Sequence, residues 1–181
     1  VPGGVWINRD VVGPGNKDET ILLWLNEADG ENDLPMPPDA GTHELAGYLG
    51  KLSTLALFKR FAQDFRRQEG FRLPHEWVVI EGKTYAQLSM QNACEFLFKK
   101  DYHDNWFSEM HETFCFWNYS DWKNALEETG FRLGHLSNAY RNEWIVKNRL
   151  EGKVQLMRPC KNGVPLPVPF PVSHMLLLAR K

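Results

Sequence analysis

Pro2-Gly3-Gly4-Val5-Trp6-Ile7-Asn8-Arg9-Asp10-Val11-Val12-Gly13-Pro14-Gly15 is the stretch on which the reading of the fold turns. Val5 to Val12 is apolar and β-branched, and turn-forming residues flank it on both sides. It therefore reads as a buried strand that enters from Pro-Gly-Gly and stops at Gly-Pro-Gly. Arg9 and Asp10 stand near its end, where buried charge is costly unless it is paired. They are either a local ion pair at a solvent-facing strand end or two groups placed against a ligand. A chain that runs from Val1 straight into a turn and a strand is expected to be a piece of a longer one.

Working outward, residues 16 to 41 hold one short apolar run, Ile21 to Leu25, then Asp29-Gly30 and the prolines Pro35, Pro37 and Pro38, which suit a loop. Thr42 is a candidate N-cap. Leu45, Leu49, Leu52, Leu55, Phe58, Ala62 and Phe65 then recur at helical spacing until Gly70, predicting one long helix or two in series, with its apolar stripe most simply core. Trp77 to Ile80 reads as a short strand, Glu81-Gly82 as a turn and Ala86 to Lys99 as a helix. Ser120 is expected to cap a helix that stops at Gly130, and Phe131-Arg132-Leu133 to begin the next strand. A loop-rich stretch reaches Leu156, and residues 159 to 171, with Pro159, Pro165, Pro167, Pro169 and Pro171, form an extended connection. His174 to Arg180 is a continuous apolar run bounded by charge, read as a strand buried on both faces.

Composition narrows the classes. In 181 residues, 43% are hydrophobic and 13% aromatic, enough for a packed core. The 21 basic and 23 acidic residues are interspersed and leave a formal charge of −2, so the chain lacks the basic footprint of a nucleic-acid or anionic-membrane binder. Cys94, Cys115 and Cys160 are too few and too scattered for a disulfide framework, which favours a reducing, cytoplasmic setting. No run approaches the roughly 20 apolar residues of a membrane span, and no signal segment is evident.

Three pieces, taken in order, resemble the end of a class I S-adenosylmethionine-dependent methyltransferase. They are the Pro-Gly-Gly turn with the strand ending in Asp10, the helix from Asp121 ending in Glu128-Thr129-Gly130-Phe131, and the terminal strand Met175 to Arg180. The resemblance covers residues 1 to 13 and 119 to 181. It implies an α/β fold containing part of a Rossmann-like sheet, the fifth, sixth and seventh strands, with the seventh lying antiparallel between the other two. It implies a transferase whose full-length form uses S-adenosylmethionine. The family's Gly-rich loop after its first strand has no counterpart here, since Gly13-Pro14-Gly15 does not suit a loop that opens a helix. The cofactor half is therefore expected upstream, with no cofactor bound by this stretch alone, which would then be inactive. Residues 1 to 15 and 119 to 181 are expected to form the sheet domain. Residues 16 to 118 read as a mainly helical cap insertion on the acceptor side, since insertions at the C-terminal ends of strands in open α/β sheets lie where ligands bind.

Methyl transfer needs an aligned nucleophile, sometimes a base, and exclusion of water. Asp101 to Phe114 is the densest polar and aromatic cluster. If it is helical, Glu109 and Glu112 share a face beside His111, making His111 and Glu112 candidate catalytic bases; a solvated helix face would explain the same residues. Arg9, Asp10 and Tyr119 are candidate acceptor-binding residues. So are Asn142 and Trp144, in a segment mixing aromatics, amides and arginines that can equally be a structured loop. His75-Glu76 and His111-Glu112 each open a His-Glu-x-x-His pattern but continue to Val79 and Cys115, so no metal site is expected. The expected partner is a small-molecule methyl acceptor rather than nucleic acid or membrane. The strand Val5 to Val12 is expected to be an unpaired edge that can support a homodimer. The competing expectation is a non-enzymatic ligand- or protein-binding module derived from the same fold, which would show no apolar scar.

Overall fold

Alternation along Val5–Val11 sets up the first layer: Trp6 and Asn8 are half-buried while Val5, Ile7 and Arg9 are exposed. The computed structural model describes residues 3 to 160 and 163 to 181. Pro2 of the expected entry turn, and residues 161 and 162 of the expected extended connection, lie outside the described residues.

In chain order, strand β1 (Val5–Val11) and strand β2 (Thr20–Leu25) are followed by helices α1 (Thr42–Leu49) and α2 (Thr54–Asp64) and a 3-10 turn at Arg67–Glu69. Strands β3 (Glu76–Ile80) and β4 (Lys83–Ser89) lead to helix α3 (Met90–Lys99), the one-turn helix α4 (Trp106–Glu109) and helix α5 (Tyr119–Glu128). Short strands β5 (Arg132–Leu133) and β6 (Asn138–Tyr140) precede a helical turn α6 (Glu143–Ile145), which continues into a π-helical turn at Val146–Leu150. Strands β7 (Val154–Arg158), β8 (Leu166–Pro167) and β9 (His174–Arg180) close the chain. The fold is mixed α/β, built on antiparallel sheets.

In the first sheet β9 lies between β1 on one side and β5 and β6 on the other, antiparallel to all three. β1 and β5 therefore run in the same direction. β5 and β6 follow one another along β9, Arg132 facing Arg180 and Tyr140 facing His174, with a bulge between them. At the bulge Gly134 N–H donates to the Leu178 carbonyl (2.7 Å), and the Ser137 hydroxyl accepts from Leu178 N–H (2.9 Å). Met175, Leu177 and Ala179 of β9 face α5, where Tyr119, Trp122 and Leu126 pack over them with Val12 and Trp6. The opposite face is uncovered among the described residues: Val5 and Ile7 are 65% and 64% exposed. β9 is thus buried on one face only, with the alternating rows half-exposed, because only one helical layer covers this sheet.

The second sheet has the order β3-β4-β2-β7-β8, all neighbours antiparallel. Ile21, Leu23 and Leu25 of β2 meet Leu45 and Leu49 of α1, Leu57, Phe58 and Phe61 of α2, and Ala93, Phe96 and Leu97 of α3 in the main core. The expected helix over 42 to 65 is two helices in series. The first, α1, is capped at Gly41 rather than Thr42 and ends at Gly50, and the second starts from Ser53, whose hydroxyl accepts from Ala56 N–H (3.1 Å).

Other boundaries move for identifiable reasons. Ala86 to Ser89 belong to β4, since they pair with β3 and β2, and the helix starts at Met90 with Ser89 as its cap. α5 is capped by Asn118, not Ser120: Asn118 Oδ1 accepts from Ser120 and Asp121 N–H while the Asp121 carboxylate accepts from Asn118 N–H, a capping box. The insertion expected to be mainly helical carries β2, β3 and β4. Its sheet is completed by β7 and β8 from beyond residue 119, so the sheets do not divide at 118 and 119. The alternation Val154-Gln155-Leu156, buried-exposed-buried, is what draws β7 onto β2. Ile145, Val146, Leu150, Val168 and Phe170 pack into the same core. No helix among the described residues is long and apolar enough to cross a membrane.

Candidate functional site

The C-terminal end of β1 meets the segment between α4 and α5 at Gly13. Gly13 N–H donates to the Trp117 carbonyl (2.9 Å), and Gly13 and Asn118 form a parallel bridge. A Cβ on Gly13 would lie 2.5 Å from the Cys115 carbonyl oxygen, so only glycine permits this approach. Beside the junction opens a cavity of about 530 Å³. Asp10 and Val11 form one wall, and Glu112 to Phe114 with Phe116, Trp117 and Trp122 form the other. The Trp117 and Trp122 rings meet edge to face, 4.9 Å between centroids and 82° apart.

A buried ion pair holds the second wall. On α3, Lys99 and Glu95 lie one turn apart, both essentially inaccessible to solvent, with Nζ to Oε2 at 3.1 Å. The Glu95 carboxylate accepts from Phe114 N–H (3.1 Å) and Cys115 N–H (2.8 Å). Lys99 Nζ donates to the carbonyls of Glu109 (3.0 Å) and Glu112 and sits over the rings of Phe114 (4.3 Å) and Phe65 (4.8 Å). The pair thus fixes the backbone from 109 to 115 at four points. Burial pushes the Lys99 ammonium down, against the pull of Glu95. Burial likewise pushes the neighbouring Glu109 carboxyl up, with Glu112 adding to the effect and Lys99 opposing it. It also raises the Cys115 thiol, helped by Cys94.

The residues singled out in the sequence divide between this cavity and other places. Asp10 and Glu112 line it together; one Asp10 oxygen accepts from Val11 N–H (2.7 Å). His111 does not join them. It lines a separate cleft of about 300 Å³ with Asp64, Arg67, Phe107 and Met110. The helix that was to align Glu109, His111 and Glu112 ends at Glu109, so the expected shared face does not form. Tyr119 packs on the inner face of the first sheet, where burial raises its phenol, with a smaller push from Glu127.

Arg9 projects to the opposite face of β1 from Asp10, so the two do not form a local pair across the strand. Its Nε donates to the Tyr140 hydroxyl (3.1 Å), and the Tyr140 ring stacks on His174 (5.8 Å, 27°). Burial, with Arg9 adding to it, holds His174 below the usual imidazole range. Asn142 caps α6 through Ile145 N–H (3.3 Å) and donates its own N–H to the buried Ser173 hydroxyl (3.0 Å), a structural role. Trp144 is 62% exposed beneath the Arg149 guanidinium, outside the cavity.

The residues not singled out individually are Phe114, Phe116, Trp117 and Trp122 on the wall and Glu95 and Lys99 behind it. The second pair had a legible signal: an acid and a base four apart on a helix whose other positions are Ala93, Cys94, Phe96 and Leu97 must turn inward together. Among the described residues no group of three or more His, Cys, Asp or Glu is placed to hold a metal ion. Gly13-Pro14-Gly15 does not form a glycine-rich loop that opens a helix. The space beside Gly13 is filled by the Cys115 backbone, and the chain leaves Gly15 through a turn into β2 rather than opening a helix. Comparison with protein-family models, curated proteins and solved structures yields no match to this chain.

Proposed function

We propose that this chain forms the acceptor-binding side of a class I S-adenosylmethionine-dependent methyltransferase, with the cofactor-binding half supplied by another part of the protein. The observation that carries this reading is the order of the first sheet. β9 lies between β1 and β5 and antiparallel to both, the arrangement expected of a seventh strand between the fifth and sixth. Two further features support it. The cavity opens at the C-terminal end of β1, where ligands of open α/β sheets bind. The uncovered face with Val5 and Ile7, and the free edge of β1, offer apolar surface and backbone groups for the missing half.

In this reading Asp10 and Glu112 accept hydrogen bonds from the acceptor and can take up its proton, while the half-buried rings of Phe114 and Trp122 shield one side of the reacting group from water. Glu112 to Phe114, Phe116 and Trp117, with Trp122 of α5, build the acceptor wall opposite Asp10. The cofactor would supply the methyl group from its own half, and no residue described here is assigned to it.

Calorimetric titration with S-adenosylmethionine tests the proposal on two proteins, the 181-residue chain and the natural polypeptide extended upstream. The reading expects no binding to the first and micromolar binding to the second. Micromolar binding to the 181 residues alone, or none to the extended protein, overturns it.

A further inference from the structure

The chemistry of the cavity goes beyond an acceptor in general. Two carboxylate-bearing residues, Asp10 on one wall and Glu112 on the other, line the cavity together with four aromatic residues, Phe114, Phe116, Trp117 and Trp122. Neither carboxylate is in an ion pair among the described residues. Lys99 lies behind the wall, paired with Glu95 and bonded to main-chain carbonyls, and Arg9 points to the other face of β1 and is bonded to Tyr140. Two rings of the wall already attract a cation, with Lys17 Nζ 5.9 Å from the centre of Phe116 and Lys99 Nζ 4.3 Å from that of Phe114, while Trp117 and Trp122 carry none among the described residues.

Aromatic faces with carboxylates beside them, in a space of about 530 Å³, select a compact organic cation. The rings attract the charge through their quadrupoles, the carboxylates through Coulomb forces, and both remain favourable to a weakly hydrated alkylammonium whose methyl groups gain from burial. A carboxylate or phosphate ligand would meet two like charges and no donor cluster. We propose that the ligand of this cavity is a substituted ammonium, an amine-bearing small molecule bound through its cationic nitrogen. This rests on the reading of the cavity as an acceptor site. It adds the chemical class of the acceptor and does not depend on which part of the protein carries the cofactor.

Tryptophan fluorescence of the 181-residue chain provides the test, with choline as the cationic probe and 3,3-dimethyl-1-butanol as its neutral isostere. Choline should bind at least fivefold more tightly than the alcohol, in line with the roughly 1 kcal/mol or more of a desolvated cation–aromatic contact. Asp10→Asn and Glu112→Gln should each weaken choline at least threefold while leaving the alcohol unchanged, with the urea midpoint of each variant confirming the fold. Trp117→Leu should weaken choline as well. Equal affinity for the two probes, no binding of either, or choline affinity untouched by both carboxylate variants overturns the proposal. A parallel titration with S-adenosylmethionine separates the two cation sources: binding of the sulfonium but not of choline assigns the cavity to the cofactor and also overturns it. Failure of the methyltransferase reading is read separately, from the extended protein, and can occur with the choline preference intact.

Discussion

Replacing Lys99 with methionine tests how the cavity wall is held. The side chain is fully buried, and the substitution keeps its length and apolar stem while removing the ammonium that pairs with Glu95 at 3.1 Å and ties down the carbonyls of Glu109 and Glu112. Glu95 then remains as a buried charge, partly compensated by the N–H groups of Phe114 and Cys115. Breaking a buried pair from one side costs about 3 to 5 kcal/mol. For a chain of this size that corresponds to a fall of about 6 to 20 °C in Tm. Adding Glu95→Gln removes the stranded charge but keeps a carbonyl oxygen for one of the two N–H groups. The double variant should therefore be more stable than the sum of the single effects by about 0.5 to 3 kcal/mol.

The pH dependence at this site has a definite sign. Burial sets the Lys99 pKa in the fold below the roughly 10.4 of an unfolded chain, so between those two values the unfolded state binds more protons and stability rises with pH. Lys99→Met should reduce that rise, leaving the part contributed by the adjacent Lys100, which burial also pushes down. Urea unfolding monitored by tryptophan fluorescence, with unchanged m, measures all of this. A loss under about 1 kcal/mol for Lys99→Met, or strict additivity in the double variant, would refute the claim that the ion pair anchors residues 109 to 115.

Three further expectations follow from single contacts. Gly13→Ala places a methyl group 2.5 Å from the Cys115 carbonyl oxygen, where neither backbone can yield cheaply, so it should destabilise by about 1 to 3 kcal/mol and perturb Trp117 emission; a wild-type urea midpoint would contradict it. His174 is held below the usual imidazole range by burial and by Arg9, so its contribution to stability is full above about pH 6.5 and is lost as pH falls toward its lowered folded value. Its proton NMR titration should give a pKa under 6.5 that moves up in Arg9→Gln, and a value at or above 6.5 would rule this out. Val5→Lys combined with Ile7→Lys should suppress self-association of the isolated chain through the β1 edge and face, as read by sedimentation equilibrium, with little effect on the internal core because both side chains are about two-thirds exposed.

Much of the first layer was legible because short-range patterns dictate it. A glycine turn and a β-branched run give β1, a Glu-Thr-Gly end gives α5, and five apolar residues in a row, Met175 to Ala179, give β9, although its burial on one face alone depends on what covers it. The second sheet was less legible. Val154-Gln155-Leu156 carries a strand signal only three residues long, and its partner β2 is more than a hundred positions away, so pairing could be found only in three dimensions. The boundaries of α3 and α5 moved because β4 competes for Ala86 to Ser89 and because Asn118 offers a better cap than Ser120. At the site, Asp10 and Glu112 were readable as lone acids, but their meeting depends on Gly13 against Cys115, a contact that sequence spacing does not announce. His111 was misleading for a related reason. Adjacency in sequence to Glu112 implied adjacency in function, and the end of α4 at Glu109 sends the two side chains into different clefts.

Amide hydrogen exchange along β1 most directly tests whether this chain is one half of a larger sheet. β1 ends its sheet with no partner on its outer side among the described residues, and Val5 and Ile7 face solvent. Covering those two side chains is worth about 2 to 4 kcal/mol in all. Exchange of the outward amides between Val5 and Val11 should be fast in the 181-residue chain and slowed at least a hundredfold in the natural polypeptide extended upstream. Equal exchange in the two proteins would contradict the account.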